Sequence, residues 1–186
     1  MQLDISFPTA ADRPKAPPIA GATEAHRRLG RRLGLYHAYH LEQLRHARQA
    51  LDALLDGNGT AEGLAKALEG LDMIENYRRF GNLCGAECHA LTVHHTIEDT
   101  QIFPVLRRGS QGLRAVIDQL GAEHVIIHDL IERLLTATAA IAHDPSLGNL
   151  AVLETLFAAL ETFVPSHFGY EEAEISEALG YFGVGL

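Results

Sequence analysis

The 186-residue chain predicts an all-α fold, an antiparallel up-down-up-down four-helix bundle. Three observations predict it. Apolar residues recur at helical spacing through four long stretches. Short breaker clusters separate these stretches, and short connections favour antiparallel neighbours. No segment alternates apolar and polar residues for long enough to make a strand.

The first helix is expected from Thr23 to Leu55, with Leu33, Tyr36, His37, His40, Leu41, Leu44, Leu51 and Leu54 or Leu55 along its apolar stripe. The turn signal Asp56-Gly57-Asn58-Gly59 ends it, and Thr60 caps a short helical lead-in through Leu68. The second helix is expected from Leu71 to Arg107. Gly81 and Gly85 weaken its middle, and Pro104 should kink or end its last turn. The third spans Gln111 to Ala142, with Ser110 as its cap and Asp144-Pro145-Ser146 as its stop. The fourth runs from Leu147 to Leu179, interrupted near Pro165. These helices make one domain, residues 23–186. Residues 1–22 precede it as an arm carrying Pro8, Pro14, Pro17 and Pro18, expected to be extended and mobile. The arm lacks a basic region followed by an apolar run, so it does not read as a secretion signal.

Composition narrows the function. The net charge is −9, and the only basic block is Arg27, Arg28, Arg31 and Arg32, which argues against a nucleic-acid partner because phosphate binding needs clustered cations. No run of apolar residues is long enough to suggest a membrane span. Cys84 and Cys88 lie four apart on one helical face, where parallel Cβ vectors would strain a disulfide. They are expected to be buried thiols in a reducing cytoplasm.

Histidine is the unusual count, at 11. The imidazoles fall in sets at helical register: His37 with His40, His94 with Glu98, His124 with His128, and His167 with Glu171. Residues four apart stand one above the other on a helix, so each pair can aim two donors at one point. Imidazole with carboxylate suits iron, manganese or zinc. One set per helix, each on or beside an apolar stripe, points to a di-metal site in the bundle core. Burying these groups without a partner would be costly, and coordination removes that cost. Other metal motifs are absent: no histidine has Glu or Asp three residues before it, and there is neither an HExxH zinc motif nor a Cys-xx-Cys knuckle.

The segment HHTIEDTQIFP from His94 to Pro104 and the segment HFGYEE from His167 to Glu172 resemble the two most recognisable segments of the hemerythrin and hemerythrin-like (HHE) family. The resemblance covers most of the chain beyond the arm. It implies two irons, oxo- or hydroxo-bridged, held by five histidines and two bridging carboxylates. Carried over, the donors are His94, His124, His128, His167, Glu98 and Glu171, with a fifth histidine from the first helix. That histidine is His37 or His40; the family's spacing to Leu41 and Leu44 favours His37. Marine hemerythrins space the last pair five apart, selecting Glu172, and bacterial relatives four apart, selecting Glu171, which we follow. His95, His89, His46, His26 and His143 are expected at the surface or behind the ligands.

The implied function is binding of O2, or a related small ligand such as NO, for sensing, storage or scavenging. The alternative is a redox enzyme on the same metals, with catalase- or peroxidase-like activity or NO detoxification; Tyr170 and Tyr77 near the irons would favour it. A third reading is an interaction bundle without iron, dimerising through the arginine-bearing helix. Ile97, Ile102, Phe103, Ile127, Ile131 and Phe163 are the expected pocket walls. The expected partners are O2 or another diatomic or peroxide ligand, with a second copy of the chain and an electron-donor protein as further candidates.

Overall fold

In the computed structural model the periodic stretches are helical wherever the structure describes them, residues 6–56 and 86–184, and no strand occurs among those residues. Helix α1 (Glu24–Gly30) starts at a reciprocal cap: the Thr23 hydroxyl accepts from the His26 amide, and His26 Nδ1 accepts from the Thr23 amide at 3.1 Å. The expected single first helix is in fact two. At Arg31 and Arg32 the bonds tighten to three-residue turns, Arg32 N–H to the Leu29 carbonyl at 3.2 Å and Leu35 N–H to that of Arg32 at 3.0 Å. Helix α2 (Leu33–Asp56) follows.

Helix α3 (Ala86–Ile97) passes into a π-helical turn, Glu98–Ile102, and then into the short α4 (Phe103–Leu106). Pro104 is expected to kink or end the last turn, and the helix does end at Leu106, but the departure from α geometry begins six residues before the proline. Proline offers no N–H to the carbonyl four residues back and its ring crowds that carbonyl. The wide turn absorbs the mismatch, with the Phe103 N–H bonding the Glu98 carbonyl. Ser110 caps α5 (Gln111–His143), accepting from the Leu113 amide at 3.1 Å. Ser146 does the same for α6 (Leu147–Phe182), accepting from Asn149 at 3.3 Å.

Pro165 does not interrupt α6. Phe163, Val164, His167 and Phe168 around it are buried, and their packing holds the helix through the lost bond. By length and composition α6 is the one described helix apolar enough to cross a membrane; here Leu160, Val164 and Phe168 among its apolar side chains are buried within the protein, while Leu147, Tyr181 and Phe182 are exposed. The turn at residues 57–59, the Thr60 cap and its lead-in through Leu68, and the expected second helix before Ala86, with Tyr77, Gly81, Cys84 and Gly85, lie outside the described residues. Cys88 is buried.

Contacts divide the chain into two compact units, residues 1–39, 93–126 and 163–186, and residues 40–92 and 127–162. The first has a core of Leu33, Phe103, Leu106, Val116, Leu120 and Leu179 with their neighbours. The second buries Leu44, Leu91, Leu130, Leu134, Leu153 and Phe157, and Arg48 pairs with Glu161 while its guanidinium lies 5.0 Å from the Phe157 ring centroid.

The N-terminal arm belongs to the first unit and is fastened down rather than hanging free. Phe7 stacks on Phe163 with centroids 4.4 Å apart. The amides of Ala16 and Ile19 donate to Glu174 at 2.6 Å and Glu177 at 2.8 Å, and the Tyr170 hydroxyl donates to the Pro14 carbonyl at 2.8 Å.

Two glycines let α1 meet α6 backbone to backbone. A Cβ on Gly30 would lie 1.7 Å from the Ser176 carbonyl oxygen, and one on Gly180 would lie 1.8 Å from that of His26. A side-chain rotation cannot relieve a clash with a carbonyl. Gly30→Ala and Gly180→Ala should each destabilise by about 1–3 kcal/mol, outweighing alanine's helical advantage of about 1 kcal/mol, as read from the urea midpoint. An unchanged midpoint would contradict the close approach.

Candidate metal centre

Two groups of donors meet in the first unit. His37, His94, Glu98 and Glu171 form one, and His95, His124 and His167 form the other. Within each group one donor atom per residue lies within 4.8 Å of all the others. Four helices contribute: α2 brings His37, α3 brings His94 and His95, α5 brings His124, and α6 brings His167 and Glu171, with Glu98 at the head of the π turn.

The two carboxylates join the groups. Glu98 has one oxygen 3.3 Å from His94 Nε2 and the other 3.6 Å from His124 Nε2. Glu171 Oε2 stands 3.4 Å from His37 Nε2 and 3.8 Å from His167 Nε2. Each carboxylate therefore reaches one imidazole of each group. Both are fully buried, and neither oxygen of either residue has a hydrogen-bond partner among the described residues. The same is true of the inward Nε2 atoms of His37, His124 and His167. A buried polar atom left unbonded costs on the order of 1–3 kcal/mol. So many converging on one place is the signature of donors awaiting a cation, and imidazole with carboxylate fits iron, manganese or zinc.

Electrostatics agrees. Burial and the charge of Glu171 push the Glu98 carboxyl well above its usual range. Burial opposes ionisation of Glu171 too, but His37, His167 and His124 outweigh it and hold that carboxyl low. Burial pushes the His167 imidazole down, toward the neutral form that binds metal.

The outward nitrogens of three of these imidazoles are held by carboxylates. His37 Nδ1 meets Glu172 at 2.8 Å, His124 Nδ1 meets Asp99 at 2.9 Å, and His167 Nδ1 meets Glu123 at 3.0 Å. Such partners select the tautomer with the lone pair inward and fix the ring's aim. Glu123 is buried, which alone would raise its pKa, but hydrogen bonds from His167, Arg13 and Gln119 bring it below the usual range.

Of the residues singled out from spacing, the structure brings together His37, His94, Glu98, His124, His167 and Glu171. His128, half-buried one turn beyond His124 in the chain, is in neither group. In its stead stands His95, whose ring stacks on His124 with centroids 4.0 Å apart and planes 12° from parallel. The third imidazole thus comes from another helix rather than from the next turn of the same one. Adjacent residues on a helix diverge by about 100°, so His94 and His95 can serve two metal positions though never one. The His-His pair was the signal for this.

His40 is buried in the second unit and in neither group, and Glu172 backs His37 while Glu171 faces inward. Glu123 and Asp99, missed from sequence, each neighbour a donor in the chain, His124 and Glu98. Phe168, also missed, stacks on His37 at 3.8 Å, and Phe103 stacks on His124 at 5.3 Å. Of the expected walls, Ile97 is 43% exposed, and Ile127 and Ile131 are buried in the second unit.

A family model, the hemerythrin HHE cation binding domain, matches residues 23–179. No curated relative and no solved structure matches the chain.

Proposed function

Because the chain belongs to the hemerythrin HHE cation-binding family, we propose that it is an antiparallel up-down-up-down bundle holding two iron ions that bind O2 or a related small ligand such as NO. The observation that carries this reading is the pair of adjoining donor groups, five imidazoles and two carboxylates, whose buried carboxylates each reach both groups. A pair of ferrous ions would supply the two electrons and the open position that reversible O2 binding requires.

The protein's own part is positional. His37 and His94 would hold one ion and His95, His124 and His167 the other, with Glu98 and Glu171 bridging them. Glu172, Asp99 and Glu123 keep the protons of His37, His124 and His167 on the outward nitrogens. Phe168, Phe103 and Phe163 line the imidazoles with apolar surface, which keeps water and stray protons from a bound ligand. Tyr170, the sequence's argument for redox turnover, spends its hydroxyl on the Pro14 carbonyl, and burial pushes its pKa up. Storage, scavenging or sensing in the cytoplasm is the role that suits such a site.

The test is metal content together with the absorption spectrum, recorded after anaerobic reduction and again in air. Two irons per chain, with near-ultraviolet bands that appear in air and vanish when O2 is removed, are expected. Bands that decay irreversibly with peroxide consumption would replace the carrier by the enzyme, and zinc or no metal in folded protein would overturn both.

A further inference from the structure

The N-terminal arm reaches the three-histidine group through the side chain of Arg13. Arg13 donates from Nε to Glu123 Oε1 at 2.8 Å and from Nη2 to Glu123 Oε2 at 2.8 Å. This fork is buried, the Arg13 side chain being 7% exposed and that of Glu123 0%. Glu123 Oε2 also meets His167 Nδ1, and Oε1 accepts from Gln119 at 2.8 Å. Arg13 is held in turn by the Ser166 hydroxyl at 2.9 Å, one residue before His167, and its guanidinium lies 4.9 Å from the Tyr170 ring centroid.

We propose that Arg13 is a positioning residue for the metal centre and that the arm is a working part of it. The inference rests on the metal reading above and adds a residue outside the bundle to it. The reasoning is geometric. A carboxylate with two oxygens and several donors can swing; the planar guanidinium clamps both oxygens at once and leaves Glu123 one orientation. That orientation presents Oε2 to His167 Nδ1 and turns Nε2 toward His95 and His124. Without Arg13, Glu123 is a buried anion lacking its counter-charge and must reorient, taking the aim of His167 with it. No such tie runs from Arg13 to His37 or His94, so the effect falls on the three-histidine position. The coupling is also reciprocal: metal bound there favours the docked arm by the factor by which the docked arm favours the metal.

The experiment loads the full-length chain and its Arg13→Gln and Arg13→Lys variants with ferrous iron or cobalt(II) at controlled free-metal concentrations. Metal per chain, the cobalt absorption bands and hydrogen exchange at the Ala16 and Ile19 amides are measured. The parent chain should fill both positions, with exchange at the two amides slowed by metal. In Arg13→Gln one position should fill unchanged and the other require about 10–100-fold more metal, the size of effect expected when a ligand's outer partner is lost. Its cobalt bands should change and metal should no longer slow exchange. Arg13→Lys, a point charge without the fork, should fall between, and it stands in if Arg13→Gln does not fold. Identical filling and spectra in parent and both variants would overturn the role of Arg13 while leaving the metal centre intact. Equal weakening of both positions would overturn its selectivity for the three-histidine group. A folded parent chain that takes up no metal would overturn the metal reading and this inference with it.

Discussion

Stripping the metal should lower the melting temperature by about 15–30 °C, as measured by circular dichroism with and without a chelator. At free metal a thousandfold above the dissociation constant, each occupied position stabilises the fold by about 4 kcal/mol, and a chain of this size shifts by about 2–4 °C per kcal/mol. The local reason lies in the site itself. Glu98 and Glu171 are fully buried, their oxygens have no hydrogen bonds among the described residues, and burial beside a second carboxylate pushes Glu98 toward protonation. Metal-free protein must carry that cost, or hold a proton in place of a cation. Buried Phe168, stacked on His37, passes the loosening to the helices around it. A chelated protein that melts where the loaded one does would leave seven gathered donors without a ligand, and would count against the metal reading more heavily than any single variant.

On the proposed two-metal reading, His95→Ala should cost one metal, whereas His128→Ala should keep both. His95 is fully buried, stacked on His124 and edge-on to His167 at 5.5 Å between centroids. Its removal leaves that position two imidazoles and a gap beside them. The affinity there should fall by more than the ~100-fold that losing a ligand's outer partner can cost, since a donor itself is gone. Metal analysis after gel filtration, at a concentration that saturates the parent, should read about one metal per chain for His95→Ala. His128 is half-buried and stands in neither donor group, so the same measurement should read two for His128→Ala. The opposite result would restore the pairing of His124 with His128 that helical spacing suggests.

These variants also mark where sequence stops being informative. The helices were legible because apolar period, caps and breakers act between residues close in the chain. Ser110 caps its helix as read, and the apolar stripe of α2 buries Leu33, His37, His40, Leu44 and Leu51, though Tyr36, expected on the same stripe, is exposed. The gathering of His37, His94, Glu98, His124, His167 and Glu171 was legible for the same reason, since each set lies on a face that faces inward. The π turn ahead of Pro104 was not. Proline demands a lost hydrogen bond, but where the helix absorbs that loss depends on what is packed around it, as the uninterrupted helix at Pro165 shows.

By itself the sequence determined the helical class, the chemistry of the donors and the elements that carry them, because those depend on residue type and on spacing within one helix. Tertiary structure alone decided that His95 rather than His128 completes the second donor group, that Glu172 stands behind His37, and that the arm ties Arg13 to Glu123. Each of these is a meeting between side chains of different elements. Helical register says which residues share a face; only the packing of one helix against another says which of two neighbouring imidazoles arrives at the same point in space.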